Sequence, residues 1–183
     1  DAMGEAFDKV AKLLKFSYPG GPEIEKVAKN GNALEFELPE PLKKKKDLNF
    51  SFSGIKTATS LIVLKQKNIN EKFISDLAAS FQKTIADILI SKIILTIKYL
   101  NKKNIHISQI SLVGGVAANE NIYVAIKNVA TKYSCSVIMP PKYMLSDNAA
   151  MIGWACIQKY SKNQYSDIFF KANPRLAINK TNS

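Results

Sequence analysis

The sequence predicts an α/β fold in which at least part of the sheet is parallel. Helical and extended patterns alternate in the second half of the chain, in the order helix, strand, helix, strand, helix. Strands that are joined through helices pair in parallel, so this order favours a parallel arrangement. Short extended segments precede the series. With 183 residues, 46% of them apolar, the chain has room for one domain with a real core.

The first part of the chain is predicted to form two helices separated by a tight turn. Apolar residues recur at helical spacing over 4–16, where the segment Tyr18-Pro-Gly-Gly-Pro22 ends the pattern. A second helix is expected over 23–30 because Gly31 follows in the position typical of a helix end.

The next segments predict strands. Apolar and polar residues alternate over 34–38 and again over 48–53, which is typical of half-buried strands. Residues 53–57 are predicted to form a turn into 58–67, for which the pattern leaves helix and strand open.

The second half of the chain should carry the parallel strands and their helices. The predicted elements are helix 70–100, a buried strand over 110–113, helix 119–133, strand 135–139 and helix 147–160. Ligands bind beyond the carboxyl ends of parallel strands, and the Gly114-Gly115 turn falls at that location.

Two segments of this half are candidate ligand contacts. Gly114 and Gly115 follow a strand and precede a helix that Asn119 opens, so the backbone can approach a flat or phosphorylated ligand. The N–H groups of that helix's first turn favour an anion. Asp147 stands at the start of the last helix, where Asp is a natural N-cap. Together these residues suggest a nucleotide cleft with a polar or metal-binding residue at its rim.

Composition narrows the class of protein further. We find no signal peptide and no long apolar run, and Cys135 and Cys156 lack metal-type spacing, so we expect a cytoplasmic protein with both thiols packed as small apolar groups. His106 is the single histidine, which excludes a two-histidine metal site and a Ser-His-Asp or Cys-His site built on the motifs of this chain.

The net charge of +11 leaves two interpretations open. A basic surface favours nucleic acid, but the excess is nearly all Lys beside abundant Ile and Asn, which is also what compositional bias produces. The run Lys43–Lys46 is a solvated loop in one interpretation and a phosphate contact in the other.

Five motifs in a fixed order carry a more specific signal. They are Gly4-Glu-Ala-Phe-Asp8-Lys, Tyr18-Pro-Gly-Gly21-Pro, Phe50-Ser-Phe-Ser-Gly54-Ile-Lys56-Thr, Gly114-Gly-Val-Ala-Ala-Asn119 and Ser146-Asp147-Asn-Ala-Ala-Met-Ile. Their order and separations closely resemble the bacterial tRNA N6-adenosine threonylcarbamoyltransferase family, over almost the whole chain.

The resemblance implies a fold of the actin-like ATPase superfamily, in which two ribonuclease-H-like lobes hold the ligand between them. Residues 1–183 resemble the second lobe, a mixed sheet flanked by helices. The first lobe and its His-x-x-x-His metal pair are expected to lie outside this sequence, as in an expressed fragment. Residues 178–183 are expected to form a flexible tail.

The resemblance also implies roles for individual residues. Asp8 and Glu25 would face the ribose, and Gly21 would allow close backbone approach. On the adenine side, the resemblance implies contacts from Gly114, Gly115 and Asn119. Asp147 would be a metal ligand, and Lys56 is either a tRNA phosphate contact or part of a structural turn.

The implied activity is transfer of the threonylcarbamoyl group from threonylcarbamoyl-AMP to N6 of the adenosine 3′ of the tRNA anticodon. The implied cofactor is one divalent metal ion shared with the other lobe, iron ahead of zinc or manganese. The implied partners are tRNA, a paralogous scaffold protein and an ATPase of the modification complex, with no membrane. We expect this chain alone to be inactive.

Two alternatives of other classes remain. A sugar-kinase-like or chaperone-like ATPase lobe would share the glycine turn but has no reason to carry the Phe-Ser-Phe-Ser-Gly-Ile-Lys motif. A non-catalytic paralogue has no reason to retain Asp8, Asn119 and Asp147 together. Departures from the family pattern at Lys15-Phe16, Tyr123 and 173–177 affect ligand affinity and nearby surface contacts rather than the family.

Overall fold

The computed structural model describes residues 2–42, 47–165, 168, 169 and 171. The chain divides into two compact units, Asp1–Ser146 and Asp147–Ser183. The elements of the first unit are α1 (Met3–Leu13), α2 (Gly20–Ala28), α3 (Ser53–Lys65), α4 (Glu71–Lys102), β1 (Gln109–Ser111), α5 (Glu120–Lys132) and β2 (Ser136–Ile138), with short 3-10 helices at Gly115–Ala118 and Lys142–Met144. The second unit contains α6 (Ala149–Ser161).

Helix α4 is the centre of the first unit. Asn70 caps it, because its side-chain oxygen accepts the Phe73 N–H at 2.9 Å. Its buried face carries Leu77, Phe81 and Ile85, which recur at helical spacing. The helix ends two residues beyond the predicted limit, so the prediction over 70–100 is confirmed.

Helices α1 and α2 pack on α4. Phe7 of α1 meets Phe81 edge-to-face, with ring centroids 5.0 Å apart. Helix α1 ends three residues earlier than predicted, and α2 begins at Gly20 rather than at residue 23. The glycine pair therefore belongs to the first turn of α2, where the contact with α1 selects a small residue at Gly20.

The alternating segments are not strands. Residues 34–38 and 48–52 form turns and irregular backbone, and Ser53 already begins α3, so the predicted turn over 53–57 is helical. Phe36 packs edge-to-face on Phe73 of α4, and its backbone N–H donates to Ser80 Oγ at 3.1 Å. The alternation over 34–38 therefore results from the packing of one side of this segment on α4.

The parallel pairing is confirmed. Strands β1 and β2 pair in parallel, with Gln109 opposite Ser136 and Ser111 opposite Ile138. The described residues hold no further strand, so the mixed sheet is not seen in this part of the chain. The strand predicted as buried is half-exposed, and Val113, just beyond it, is 71% exposed.

Helix α6 begins later than predicted. Asn148 caps it by accepting the Met151 N–H at 3.1 Å, so the prediction of Asp147 as the cap is wrong. Cys135 is buried as expected, whereas Cys156 on α6 is exposed. The predictions for 43–46 and for the tail 178–183 fall outside the described residues. Across the part of the chain that the structure describes, no helix has the length and apolar content that a membrane crossing requires.

Candidate functional site

The first part of the candidate site is the corner between α1 and α2. The Gly20 N–H donates to Asp8 Oδ1 at 2.9 Å, which fixes one carboxylate oxygen. A Cβ on Gly20 would lie 2.4 Å from the Ala11 Cβ, so packing requires glycine there. A Cβ on Gly21 would meet nothing within 4 Å. The residue predicted for close ligand approach therefore has open space beside it.

A cavity of about 350 Å³ lies against the outer face of α1. Its lining combines carboxylates, lysines and aromatic rings, from Glu5, Asp8, Lys9, Lys12, Phe16, Tyr18 and neighbours. A ligand with both polar and flat apolar parts suits such a lining.

The second part is the glycine turn after β1. Gly114 has φ +89°, a left-handed conformation that other residues adopt only with strain. No atom lies within 4 Å of a Cβ built on either Gly114 or Gly115. Val116, next in the turn, approaches the position of a Cβ on Gly4 of α1 to 3.8 Å. The turn thus lies beside the start of α1 and leaves its backbone accessible.

The third part is the start of α5, where Asn119 is buried. Asn119 Oδ1 accepts the Ile122 N–H at 3.0 Å, which caps the helix as predicted. Asn119 Nδ2 donates to Gln82 Oε1 of α4 at 2.7 Å. Both polar groups of the side chain are therefore bonded within the protein.

Glu25 reaches the same helix start from α2. Its Oε1 accepts the Glu120 N–H, the first of α5, at 2.9 Å. Glu25 and Glu120 also line a cavity of about 600 Å³ formed by residues of α2, α4 and α5 and the loop after α2. The predicted preference for an anion at this helix start is met by a carboxylate of the protein itself, so a phosphate here would face Glu25 and Glu120.

Lys56 belongs to a small charged cluster on α1 and α3. Its Nζ lies 3.9 Å from Glu5 Oε1, and Lys9 Nζ lies 2.5 Å from the same oxygen. The hydrogen bond from Lys9 lowers the pKa of Glu5. Burial lowers the pKa of Lys56, and neighbouring Lys9 lowers it further. The Lys56 side chain is 14% exposed, which is little surface for a phosphate contact in this conformation.

Asp147 is exposed at the start of the second unit. Among the described residues, no group of three or more His, Cys, Asp or Glu side chains forms a metal site, and His106 is exposed. The donors of this part of the chain therefore do not complete a metal centre, and Asp147 can contribute only one carboxylate to a shared one.

Comparison with known proteins identifies the family. The model of the tRNA N6-adenosine threonylcarbamoyltransferase family matches residues 1–154, which include every predicted site residue. The chain belongs to this family.

Curated relatives agree with the family match. The chain is 41% identical to the tRNA N6-adenosine threonylcarbamoyltransferase of Rickettsia rickettsii (strain Sheila Smith), over 97% of its own length and 52% of that protein. It is 42% identical to the enzyme of the same name from Wolbachia pipientis wMel, over 96% of its length and 51% of the relative. The chain thus spans about half the length of these members of the threonylcarbamoyltransferase family.

The structure therefore brings most of the predicted nucleotide contacts onto adjoining elements. Asp8 and Gly21 lie at the α1–α2 corner, the glycine turn lies against α1, and Glu25 contacts the start of α5 beside Asn119. Sequence reasoning missed Gln82. A signal was available in the helical spacing, because the residues three and four positions away on α4 are apolar and buried: Ala78, Ala79, Ile85 and Ala86.

Proposed function

We propose that this chain forms one wall of the adenylate cleft in a tRNA N6-adenosine threonylcarbamoyltransferase. The complete enzyme would transfer the threonylcarbamoyl group from threonylcarbamoyl-AMP to N6 of the adenosine 3′ of the anticodon. The observation that carries this proposal is the family match over 1–154, together with the hydrogen bonds that join its motifs in the first unit. The lobe would be the second of an actin-like pair.

The proposed nucleoside contacts follow from the space beside each element. Gly21, Gly114 and Gly115 present backbone without a Cβ to open space, which lets a flat base or ribose come within contact distance. Asp8 and Glu25 would accept hydrogen bonds from ribose hydroxyls with the carboxylate oxygens that their backbone partners do not use.

The phosphate of the adenylate would lie away from the start of α5. The Glu25 carboxylate already bonds the first N–H of α5, and Glu120 adds a second negative charge. We propose that Asp147 gives one carboxylate to a divalent ion, iron ahead of zinc or manganese, whose other ligands come from residues outside this chain. Such an ion, when bound, supplies charge neutralisation at the phosphate.

The chemistry would depend on positioning. The N6 amine attacks the carbamoyl carbon and forms the new N–C bond, the bond from that carbon to the phosphate oxygen breaks, AMP leaves with the bonding electrons, and N6 releases one proton to solvent. No nucleophile of the protein is needed, and the residues of this chain would contribute by holding the adenylate in line. We further propose action in the cytoplasm, with a paralogous scaffold protein and an ATPase as partners.

The direct test is a transfer assay with the complete natural protein, its partner proteins, threonylcarbamoyl-AMP and tRNA. Wild type should modify the tRNA, and Asp147→Asn should lower the rate at least about 100-fold, because even outer-shell changes at metal sites cost 10- to 100-fold. Asp87→Asn, which alters an acid paired with Lys83 on α4, is the control and should keep the rate. A wild-type protein that supports no transfer would contradict the proposal and favour a non-catalytic paralogue.

A further inference from the structure

The buried face of α4 carries a polar side chain that packing does not require. Gln82 is 5% exposed, and the core residues Ala79 and Ala86 lie about one turn away on either side of it along α4. Burying a primary amide costs free energy unless its groups are hydrogen-bonded, and an apolar side chain would fill the same space without that cost. The hydrogen bond that Gln82 Oε1 accepts from Asn119 Nδ2, at 2.7 Å, is therefore the reason for a buried amide at this position.

That bond fixes which way the Asn119 amide points. The oxygen of Asn119 has to face the Ile122 N–H for the side chain to cap α5. An acceptor on the other side selects the orientation in which the nitrogen faces Gln82. Nδ2 carries two hydrogens, and the bond to Gln82 uses one of them.

We propose that Gln82 is a positioning residue for the nucleotide, acting through Asn119. By holding one hydrogen of Nδ2, it aims the second at an acceptor atom of the bound nucleoside while keeping α5 capped. This inference rests on the proposed function, because it takes Asn119 as a nucleoside contact. Gln82 itself has no need to touch the ligand.

The surroundings of Gln82 explain why the residue is neutral. Gln82 shares its cavity with Glu25 and Glu120, and also with Lys29 and Lys83. A carboxylate at position 82 would accept from Asn119 equally well, but it would place a charge at a position that is 5% exposed, which costs free energy. Glutamine supplies the acceptor without that charge.

Two variants separate positioning from packing. Gln82→Met keeps the length of the side chain and removes the acceptor, whereas Gln82→Glu keeps the acceptor and adds the unfavourable charge. In the complete natural protein, Gln82→Met should raise KM for threonylcarbamoyl-AMP about tenfold, which corresponds to the loss of one hydrogen bond. Its kcat should stay within about threefold of wild type. Gln82→Glu should keep KM within about threefold and lower Tm more than Gln82→Met does.

The outcomes are distinguishable. A Gln82→Met protein with wild-type KM, or KM values that follow Tm across both variants, would overturn the positioning role and leave the proposed function intact. Absence of transfer by wild type would overturn both. Amide exchange of Ile122 in the 183-residue chain, compared with exchange of the Leu77 amide on α4, gives a readout without activity. Gln82→Met should speed the exchange of Ile122 several-fold more than that of Leu77, whereas Gln82→Glu should affect both amides alike. An equal effect of Gln82→Met on the two amides would overturn the role.

Discussion

The adjacent glycines in the first turn of α2, Gly20 and Gly21, have different environments and different roles. Gly20 is held by its neighbours, since a Cβ would lie 2.4 Å from the Ala11 Cβ and 2.9 Å from the Asp8 Cα. Gly21 faces open space. The sequence showed both as one turn motif, and only the packing of α1 on α2 separates the structural glycine from the candidate ligand contact.

Alanine at each position tests this division. Gly20→Ala should lower the free energy of unfolding by about 2 to 3 kcal/mol, because overpacking forces backbone shifts. Gly21→Ala should change it by less than about 1 kcal/mol, as helix propensity allows, yet weaken nucleotide binding about tenfold. Urea unfolding and nucleotide titration of the complete natural protein measure the two effects. Equal destabilisation by both variants would contradict the division.

Asp76 is a single residue that makes the stability of the fold depend on pH. The Asn32 N–H donates to its Oδ1 at 2.7 Å and Lys72 Nζ lies 2.6 Å from its Oδ2, and these interactions lower the pKa of Asp76 against the opposing effect of burial. A carboxyl group whose pKa is lower in the folded state than in the unfolded chain stabilises the fold at every pH above its unfolded-state pKa, which is about 4. That contribution is lost as the pH falls through the folded pKa.

Asp76→Asn should remove this pH dependence. The amide oxygen can still accept the Asn32 N–H, but it cannot lose a charge on acidification. The wild-type urea midpoint should therefore fall more between pH 7 and pH 3 than the midpoint of the variant does. A variant whose midpoint falls as far as that of wild type would show that Asp76 does not carry the effect.

At the scale of elements, long periodic helices were predictable and short extended segments were not. Helix α4 and the Asn119 cap of α5 follow from apolar spacing and capping chemistry, which act locally. Residues 34–38 share their alternation with a strand, but Leu38 is buried and Phe36 half-buried against a helix. Tertiary contacts decide whether an alternating segment pairs in a sheet or packs on a helix. A single sequence does not show those contacts.

Lys92 links α4 to the residues on either side of 43–46. It is 2% exposed, and its Nζ donates to the carbonyl oxygens of Leu42 at 2.9 Å and Asp47 at 2.7 Å. Its Nζ also lies 3.6 Å from Asp47 Oδ1. A buried ammonium with these acceptors is a structural tie between an element and a distant segment.

Lys92→Met should therefore destabilise the fold by about 2 to 3 kcal/mol, because it leaves polar acceptors without their donor. The matched control is Lys83→Met on the same helix, which removes a partly exposed pair with Asp87 and should cost under about 1 kcal/mol. Thermal and urea unfolding of both variants measure the difference. Equal losses of unfolding free energy in the two variants would contradict this structural role of Lys92.

At the scale of the whole molecule, the family match covers 1–154, and hydrogen bonds connect several of the predicted site residues to neighbouring elements of the first unit. The sequence alone predicted the Asn119 cap, because capping chemistry acts locally, whereas Asp8 and Gly21 became candidate contacts through motifs that resemble those of the family. Helical spacing can show that Gln82 faces the core, but the sequence could not show that it bonds Asn119 or that Glu25 bonds the first N–H of α5, since these partners are distant in sequence.

The 183-residue chain should by itself support no measurable threonylcarbamoyl transfer. It spans about half the length of its curated relatives, and the described residues do not complete a metal centre. It should bind AMP weakly at most. The assay compares the chain with the complete natural protein under one set of conditions, and measurable transfer by the chain alone would contradict the shared-site account.

The most direct measurement is a crystal structure of the complete natural protein with an adenylate and its divalent metal. The account predicts the nucleoside against Gly21, the Gly114-Gly115 turn and Asn119, with a carboxylate oxygen of Asp147 about 2.2 Å from the ion. An ion remote from Asp147, or a glycine turn that does not touch the nucleoside, would contradict it.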